Sequence, residues 1–139
     1  MTIDELYEKQ RQEINDLLKV KEKIWKKMYE DQQAMVSAFG SFDNIPDDYK
    51  QRIRHEYQEF HREWDLETGI HYPTLKKRHT QQRINQSEGK PVYQTPFQPN
   101  KLYPENQTDR ERKKQELIDQ QREVVQRQKS KYKNRERER

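Results

Sequence analysis

The residues with the most obvious potential for chemistry are the four histidines of this chain. His55 and Glu56 open the stretch H-E-Y-Q-E, which follows the zinc-binding pattern H-E-x-x-H except at its last position. Glu59 stands where the second histidine should be, so the pattern lacks a ligand. His61 and Asp65 lie one helical turn apart and could share a metal, but two ligands are too few. We therefore predict no metal site and interpret the histidines as helix-surface residues paired with acids.

Catalysis by other side chains has little support in the sequence. The chain has no cysteine and only three glycines. Thiol chemistry, disulfides and a Gly-rich phosphate loop are therefore excluded. No serine lies in a recognisable nucleophile turn, and no carboxylate has an evident reason to be buried with a shifted pKa. We predict a non-enzymatic protein with no catalytic residues, no cofactor and no small-molecule substrate.

Basic clusters indicate a second kind of chemistry, contact with phosphates. The net charge of +4 divides into −5 over residues 1–68, +4 over residues 69–105 and +5 over residues 106–139. An acidic half joined to a basic tail suits a polyanion such as nucleic acid, although mixed charge can also simply keep a polar chain soluble. The candidate phosphate contacts are Lys76, Lys77, Arg78, Arg83, Arg127, Lys129, Lys131, Lys133 and Arg135.

One long helix, predicted from Thr2 to Phe39, is the element around which the chain is organised. No glycine or proline occurs before Gly40, and apolar residues recur at steps of three and four. Thr2 and Glu5 have the spacing of a capping box, which marks the start of a helix. The apolar stripe is typical either of a coiled-coil seam or of the core-facing side of a helix in a small bundle.

A second helix is predicted from about Pro46 to Glu67. The turn before it, residues 40–46, contains Gly40 past the end of the first helix and either Asp43 or Asn44 as a cap. A tight turn between two amphipathic helices predicts a long antiparallel hairpin, coiled-coil-like, over residues 1–69. Its predicted core is Ile14, Leu17, Ile24, Trp25, Met28, Met35, Phe39, Tyr49, Ile53, Tyr57, Phe60 and Trp64.

The two predicted helices differ in length, and this difference predicts an uncovered end. At about 1.5 Å of rise per residue, the second helix reaches back only to about Leu17. Ile3, Leu6, Tyr7 and Ile14 then have no partner from the hairpin. An exposed apolar stripe of this length is unusual in a monomer. We expect the C-terminal tail or another chain to cover this stripe, and we predict that Ile3, Leu6 and Tyr7 bind a partner.

The rest of the chain, residues 70–139, is predicted to form a strap followed by a charged helix. Residues 70–105 are predicted to be an extended, basic, Pro-containing linker or docking strap, in which residues 74–84 can form a short helix. Apolar side chains within the strap look like anchors for a partner. Residues 106–139 are predicted to form a charged helix opened by Thr108, then a disordered tail from Lys129. The predicted anchors are Val92, Tyr93, Phe97, Leu102 and Tyr103.

Composition limits how much of the chain can fold. Leu, Ile, Val and Phe make up about 17% of the residues, and charged residues make up 39%. We predict an all-α protein that is partly disordered when alone, cytoplasmic, and without a membrane segment. Its predicted role is that of an adaptor, scaffold or small subunit that self-associates or binds a protein partner. The alternative is an accessory nucleic-acid-binding protein that acts through its basic tail.

Overall fold

The computed structural model of the chain describes the backbone of residues 1–92, 95–103 and 107–137, with side chains over 1–92, 95–103 and 112–129. Four α-helices follow one another: α1 (Ile3–Phe39), α2 (Asp47–Trp64), α3 (His71–Ser87) and α4 (Gln107–Arg137). Short 3-10 turns occur at Phe42–Asn44 and Pro99–Leu102. The described residues contain no strand, which confirms the predicted all-α class.

The helices contribute to two compact units. Unit 1 contains residues 1–27 and 54–103, and unit 2 contains residues 28–53 and 104–139. Each unit combines stretches that are distant in sequence. The units therefore do not coincide with the three consecutive segments, 1–69, 70–105 and 106–139, into which the sequence was divided.

The start of α1 follows the predicted capping box. The backbone N–H of Glu5 donates to the Thr2 hydroxyl over 3.2 Å, and the Thr2 N–H donates to the Glu5 carboxylate over 3.4 Å. These two bonds satisfy donors that the first turn of a helix leaves unpaired. Asp4 and Glu5 also place negative charge at the positive end of the helix dipole.

In unit 2, the turn after α1 differs in one detail from the prediction. Gly40 has a φ of +87°, the left-handed conformation in which many helices end. The side-chain amide of Asn44 donates to the Phe39 carbonyl over 3.0 Å, so Asn44 caps the end of α1 and not the start of α2. The first turn of α2 bonds instead to the carbonyl of Pro46, which accepts from Tyr49 and Lys50.

In unit 1, α2 ends at Trp64 and not near Glu67, because the chain turns tightly there. The Gly69 N–H donates to the Asp65 carbonyl over 2.9 Å, and the Ile70 N–H donates to the Glu63 carbonyl over 2.8 Å. A Cβ on Gly69 would lie 2.8 Å from the Glu63 carbonyl oxygen and would clash with Asp65 as well. The close approach of these backbones therefore requires glycine.

The helix α3 is longer than the sequence predicts. It covers His71–Ser87, inside the segment 70–105 that was predicted to be mainly an extended strap. Pro73 lies in its first turn, where the missing N–H breaks no hydrogen bond, so this proline starts the helix without interrupting it. Among the residues that α3 buries, Leu75 is the apolar one.

The core of unit 1 joins three helices. Its buried apolar residues are Leu6, Leu17, Val20 and Ile24 of α1, Phe60 and Trp64 of α2, and Leu75 of α3. Aromatic rings connect two of these helices. The ring centroid of Trp25 lies 5.4 Å from that of Tyr57 and 5.3 Å from that of Phe60. Such offset and tilted contacts add to the stabilisation that burial gives.

The core of unit 2 is smaller and includes one residue of α4. Met35, Ile45, Ile53 and Ile118 are its buried apolar residues. Lys114 of α4 lies 3.4 Å from the Asp31 carboxylate, and both side chains are about four-fifths buried.

The helix α4 continues to Arg137, although disorder was predicted from Lys129 onward. Its Arg, Lys, Gln and Glu residues are good helix formers, and no glycine or proline interrupts them.

Candidate functional site

One face of α1 within unit 1 carries large apolar side chains that the fold leaves exposed. Ile3, Tyr7, Leu18 and Trp25 each expose between 37% and 46% of their surface. Ile14 lies between them and is half-buried. At 3.6 residues per turn these five residues fall within an arc of roughly 60°. We call this set, Ile3, Tyr7, Ile14, Leu18 and Trp25, the α1 stripe.

The stripe mixes residues that the sequence assigned to different roles. Ile3 and Tyr7 were predicted to bind a partner, and both are exposed. Ile14 and Trp25 were placed in the hairpin core, but neither side chain is fully buried. Leu6 was also predicted to bind a partner, and this prediction does not hold in the structure, where Leu6 is only 1% exposed. The reason is that Leu6 points to the core face of α1, on which α3 packs.

The remaining predicted core residues divide between buried and half-buried positions. In unit 1, Leu17, Ile24, Phe60 and Trp64 are buried and Tyr57 is half-buried. In unit 2, Met35 and Ile53 are buried, while Met28, Phe39 and Tyr49 are half-buried.

Beside the stripe, α1 and α3 are joined by a buried polar cluster. Gln10 and Glu13 of α1 and His79 and Gln82 of α3 are each at most 6% exposed. The Gln10 amide donates to the His79 carbonyl over 3.0 Å and to the Gln82 side-chain oxygen over 3.1 Å. The His79 ring lies 3.3 Å from the Glu13 carboxylate, measured from Nε2 to Oε2. Buried polar groups that are bonded in this way fix the position of one helix on another.

Burial lowers the pKa of His79 below its ordinary value of 6.5. The hydrogen bond and the charge of Glu13 raise this pKa, whereas the charges of Arg78 and Arg83 lower it further. Desolvation is the largest of these effects, because the ring lies in the interior and the charged imidazolium is disfavoured there. The ring is 3% exposed and joins α3 to α1 through the Glu13 carboxylate.

This buried cluster was not predicted from the sequence, and the prediction that His79 is a helix-surface residue is wrong, because its ring is 3% exposed. A signal was present. Leu6, Gln10, Glu13 and Leu17 follow one another at steps of four, three and four, which places both polar residues on the core face of α1. Their partners on α3 could not be inferred, because α3 has little apolar periodicity of its own.

The predicted phosphate contacts of α3 lie partly on an open groove. The stretch His71–Ser87 contains no acidic residue. Lys76 and Arg83 line a groove between α1 and α3 together with Arg11, Tyr7 and Tyr72. Lys77 is exposed, whereas Arg78 donates to the Thr95 carbonyl and is half-buried. Asp4 and Glu8 also line the groove and reduce its positive charge.

The predicted strap makes contacts within unit 1. Pro99 is buried, and Phe97, Leu102 and Tyr103 are half-buried. The Lys23 ammonium of α1 lies 4.7 Å from the centroid of the Tyr103 ring, a cation–π contact. Val92 is also half-buried, and Tyr93 lies outside the described residues. The segment thus lies against its own chain at several of the positions that were predicted to anchor a partner.

Two arginines of α4 lie beside acids one turn away. Arg112 pairs with Glu116 and Arg127 with Glu123, each over 3.9 Å and at exposed positions. Lys129 is exposed. Lys131, Lys133 and Arg135 lie in the helix, but their side chains fall outside the described part of the structure. Exposed pairs of this kind contribute little stability and dilute the positive field.

Two of the other histidines, His61 and His71, lie beside acids. His61 lies 3.2 Å from Asp65, and His71 lies 3.9 Å from Glu63. Across the described residues, no three histidine or acidic side chains are grouped so that they could hold a metal ion. Among the described helices, none combines the length and apolar character that crossing a membrane requires.

A comparison of the chain with protein-family models, with curated proteins and with solved structures found no match.

Proposed function

We propose that this chain is a non-enzymatic helical interaction protein: an adaptor, a scaffold or a small subunit of a larger assembly. In this proposal α1 and α2 form an antiparallel hairpin that serves as a rigid support, and the α1 stripe is the contact surface. The observation that carries the proposal is the exposure of Ile3, Tyr7, Leu18 and Trp25 along one face of α1. Helices that lay such a face against another helix are a common mode of recognition.

The stripe is an unfavourable surface to leave in water. Each apolar Å² removed from water contributes roughly 25 cal/mol. The stripe extends from Ile3 to Trp25, 23 residues of helix with a rise of about 33 Å. Leu18 and Trp25 remain more than one-third exposed although α2 and α3 pack on the same helix. Extended apolar patches with polar borders are typical of interaction sites.

The strap and α4 have supporting roles in this proposal. The contacts of Thr95, Pro99 and Tyr103 within unit 1 hold the strap in place, so that Val92 and Phe97 present their half-exposed surfaces to a partner. The basic end of α4 then contributes charge to the same or a second partner.

The proposal is tested by cross-linking and mass spectrometry in cells that produce the chain. Leu18→Lys places a charge in the middle of the stripe, at a position that is 37% exposed. We expect it to reduce cross-links from α1 to other chains, or to other copies, by about tenfold or more, since a central interface residue contributes about 2 kcal/mol.

Leu66→Lys is the matched control. Leu66 is 42% exposed, in the turn between α2 and α3, and lies outside the stripe. The far-ultraviolet circular dichroism of both variants should equal that of the parent. If Leu18→Lys keeps every cross-link of the parent chain, the stripe is not the contact surface and the proposal is wrong.

Nucleic-acid binding is a second candidate, favoured by the absence of acids from α3 and by the groove of Lys76, Arg83, Tyr7 and Tyr72. Cations beside aromatic rings can bind phosphates and stack on bases. The test is a titration of fluorescent single- and double-stranded nucleic acid at several salt concentrations. Binding through phosphates weakens steeply with salt. Tight binding that is unchanged by salt, or no binding at low salt, would rule this mechanism out.

A further inference from the structure

The charges of α1 are segregated along its length within unit 1. Residues 3–16 carry five acidic and two basic residues, whereas residues 17–27 carry one acidic and five basic residues. The first stretch therefore has a net charge of −3 and the second a net charge of +4. The α1 stripe runs through both stretches, from Ile3 to Trp25.

Most of these charges are available to a neighbouring helix. The exposed charges of the acidic stretch are Asp4, Glu5, Glu8 and Arg11, which sum to −2. Those of the basic stretch are Lys19, Glu22, Lys23 and Lys26, which sum to +2. Lys9, Asp16, Lys21 and Lys27 are half-buried, and the Glu13 carboxylate is buried against His79. Two such helices placed side by side in parallel would set like charges together. In the antiparallel orientation each acidic stretch faces a basic one, and the helix dipoles are also opposed favourably.

We propose that the α1 stripe binds the α1 stripe of a second copy of this chain in the antiparallel orientation. This inference rests on the proposed function, and it names the partner. A two-fold axis relates the copies, so the same surface serves both partners. Ile14 is midway between Ile3 and Trp25 in sequence. The axis therefore passes near Ile14, and Ile3 of each copy lies close to Trp25 of the other.

The proposed arrangement can be measured with engineered disulfides, since the chain has no cysteine of its own. Ile14→Cys places a thiol near the axis, where two copies can form an intermolecular disulfide. Gln12→Cys is the matched control, because Gln12 is exposed on the side of α1 away from the stripe. We expect Ile14→Cys to form disulfide-linked dimers at least about tenfold faster than Gln12→Cys, because pairing raises the effective thiol concentration.

The orientation is tested by the two ends of the stripe. Ile3→Cys alone should not form dimers faster than the control, because its two thiols would be about 33 Å or more apart in the antiparallel pair. A mixture of Ile3→Cys and Trp25→Cys chains should form mixed dimers. Fast dimers from Ile3→Cys alone would show parallel pairing and overturn the proposed orientation.

Sedimentation equilibrium of the unmodified chain tests whether two copies pair. Concentrations up to about 200 µM are needed because small helical interfaces are weak. We expect a monomer–dimer equilibrium whose dissociation constant rises with added salt and rises at least about tenfold in Leu18→Lys. A chain that stays monomeric, with Ile14→Cys no faster than Gln12→Cys, would overturn this inference. If cross-links to other proteins in cells still depended on Leu18, the proposed function would stand with a different partner.

Discussion

At the scale of single residues, the polar side chains of Gln10 and His79 join α1 to α3 through buried hydrogen bonds. One amide of Gln10 reaches two acceptors on α3, the His79 carbonyl and the Gln82 side chain. The ring of His79 in turn meets the Glu13 carboxylate. A buried donor or acceptor that loses its partner is strongly unfavourable, so these four residues specify one register of α3 along α1.

Replacing Gln10 should therefore destabilise the protein more than replacing a neighbouring glutamine. Gln10→Ala removes both hydrogen bonds to α3 and leaves the buried His79 carbonyl without this donor, which we expect to lower the free energy of unfolding by about 1–3 kcal/mol. Gln12→Ala removes an exposed bond to Asp16 and should change it by less than about 0.5 kcal/mol. Urea denaturation followed by circular dichroism measures both. Equal losses would show that the cluster does not hold α3.

The stability of the protein should fall as the solution is acidified through the histidine range. Because burial holds the pKa of His79 below 6.5, the unfolded chain binds this proton more readily than the folded one. The stabilisation is then complete above pH 6.5 and is lost as the pH falls towards the folded-state pKa.

Denaturation at about pH 7.5 and at about pH 5 measures this loss, which should be smaller in His79→Gln. His55→Gln, at an exposed position of α2, is the control and should keep the pH dependence of the parent chain. If the parent chain and His79→Gln lose equal stability on acidification, other groups are responsible.

At the scale of helices, the sequence predicted α1 well and α3 poorly, for reasons that particular residues show. The Thr2–Glu5 capping box and Gly40 are local signals, and both lie where they were expected. The helix α3 has Leu75 as its one buried apolar residue and is otherwise fixed by contacts that are distant in sequence, such as Gln10 with His79. Local patterns cannot reveal such contacts, which is why Leu6 was read as uncovered and His79 as a surface residue.

A cavity substitution in α3 tests whether this helix is packed as firmly as its contacts indicate. Leu75 is 3% exposed, so Leu75→Ala should lower the free energy of unfolding by about 2–5 kcal/mol. Ile84→Ala removes an apolar side chain of the same size from an exposed position of the same helix and should cost less than about 0.5 kcal/mol. Urea denaturation measures both, and similar values would mean that α3 is only loosely held.

At the scale of the whole chain, α3 and α4 differ in how far acidic residues compensate their basic residues. Among the described side chains of α4, residues 112–129, there are six basic and three acidic residues; Arg127 pairs with Glu123, and Lys114 is engaged with Asp31. By contrast, α3 carries Lys76, Lys77, Arg78 and Arg83 without any acid of its own. The basic tail, from which the sequence predicted nucleic-acid contacts, is therefore not the region with the least compensated charge in the described structure.

This difference predicts which residues set the salt dependence of any binding to nucleic acid. Each lysine that contacts a phosphate contributes about one unit to the slope of log affinity against log salt. A double variant that carries Lys76→Ala and Lys77→Ala should therefore reduce that slope by about two units. Arg127→Ala with Lys129→Ala removes the same formal charge from α4 and should reduce it less, because Glu123 already compensates Arg127. Fluorescence anisotropy with a labelled oligonucleotide at several salt concentrations measures both slopes. The opposite ranking would place the phosphate contacts on α4, as the sequence alone suggested.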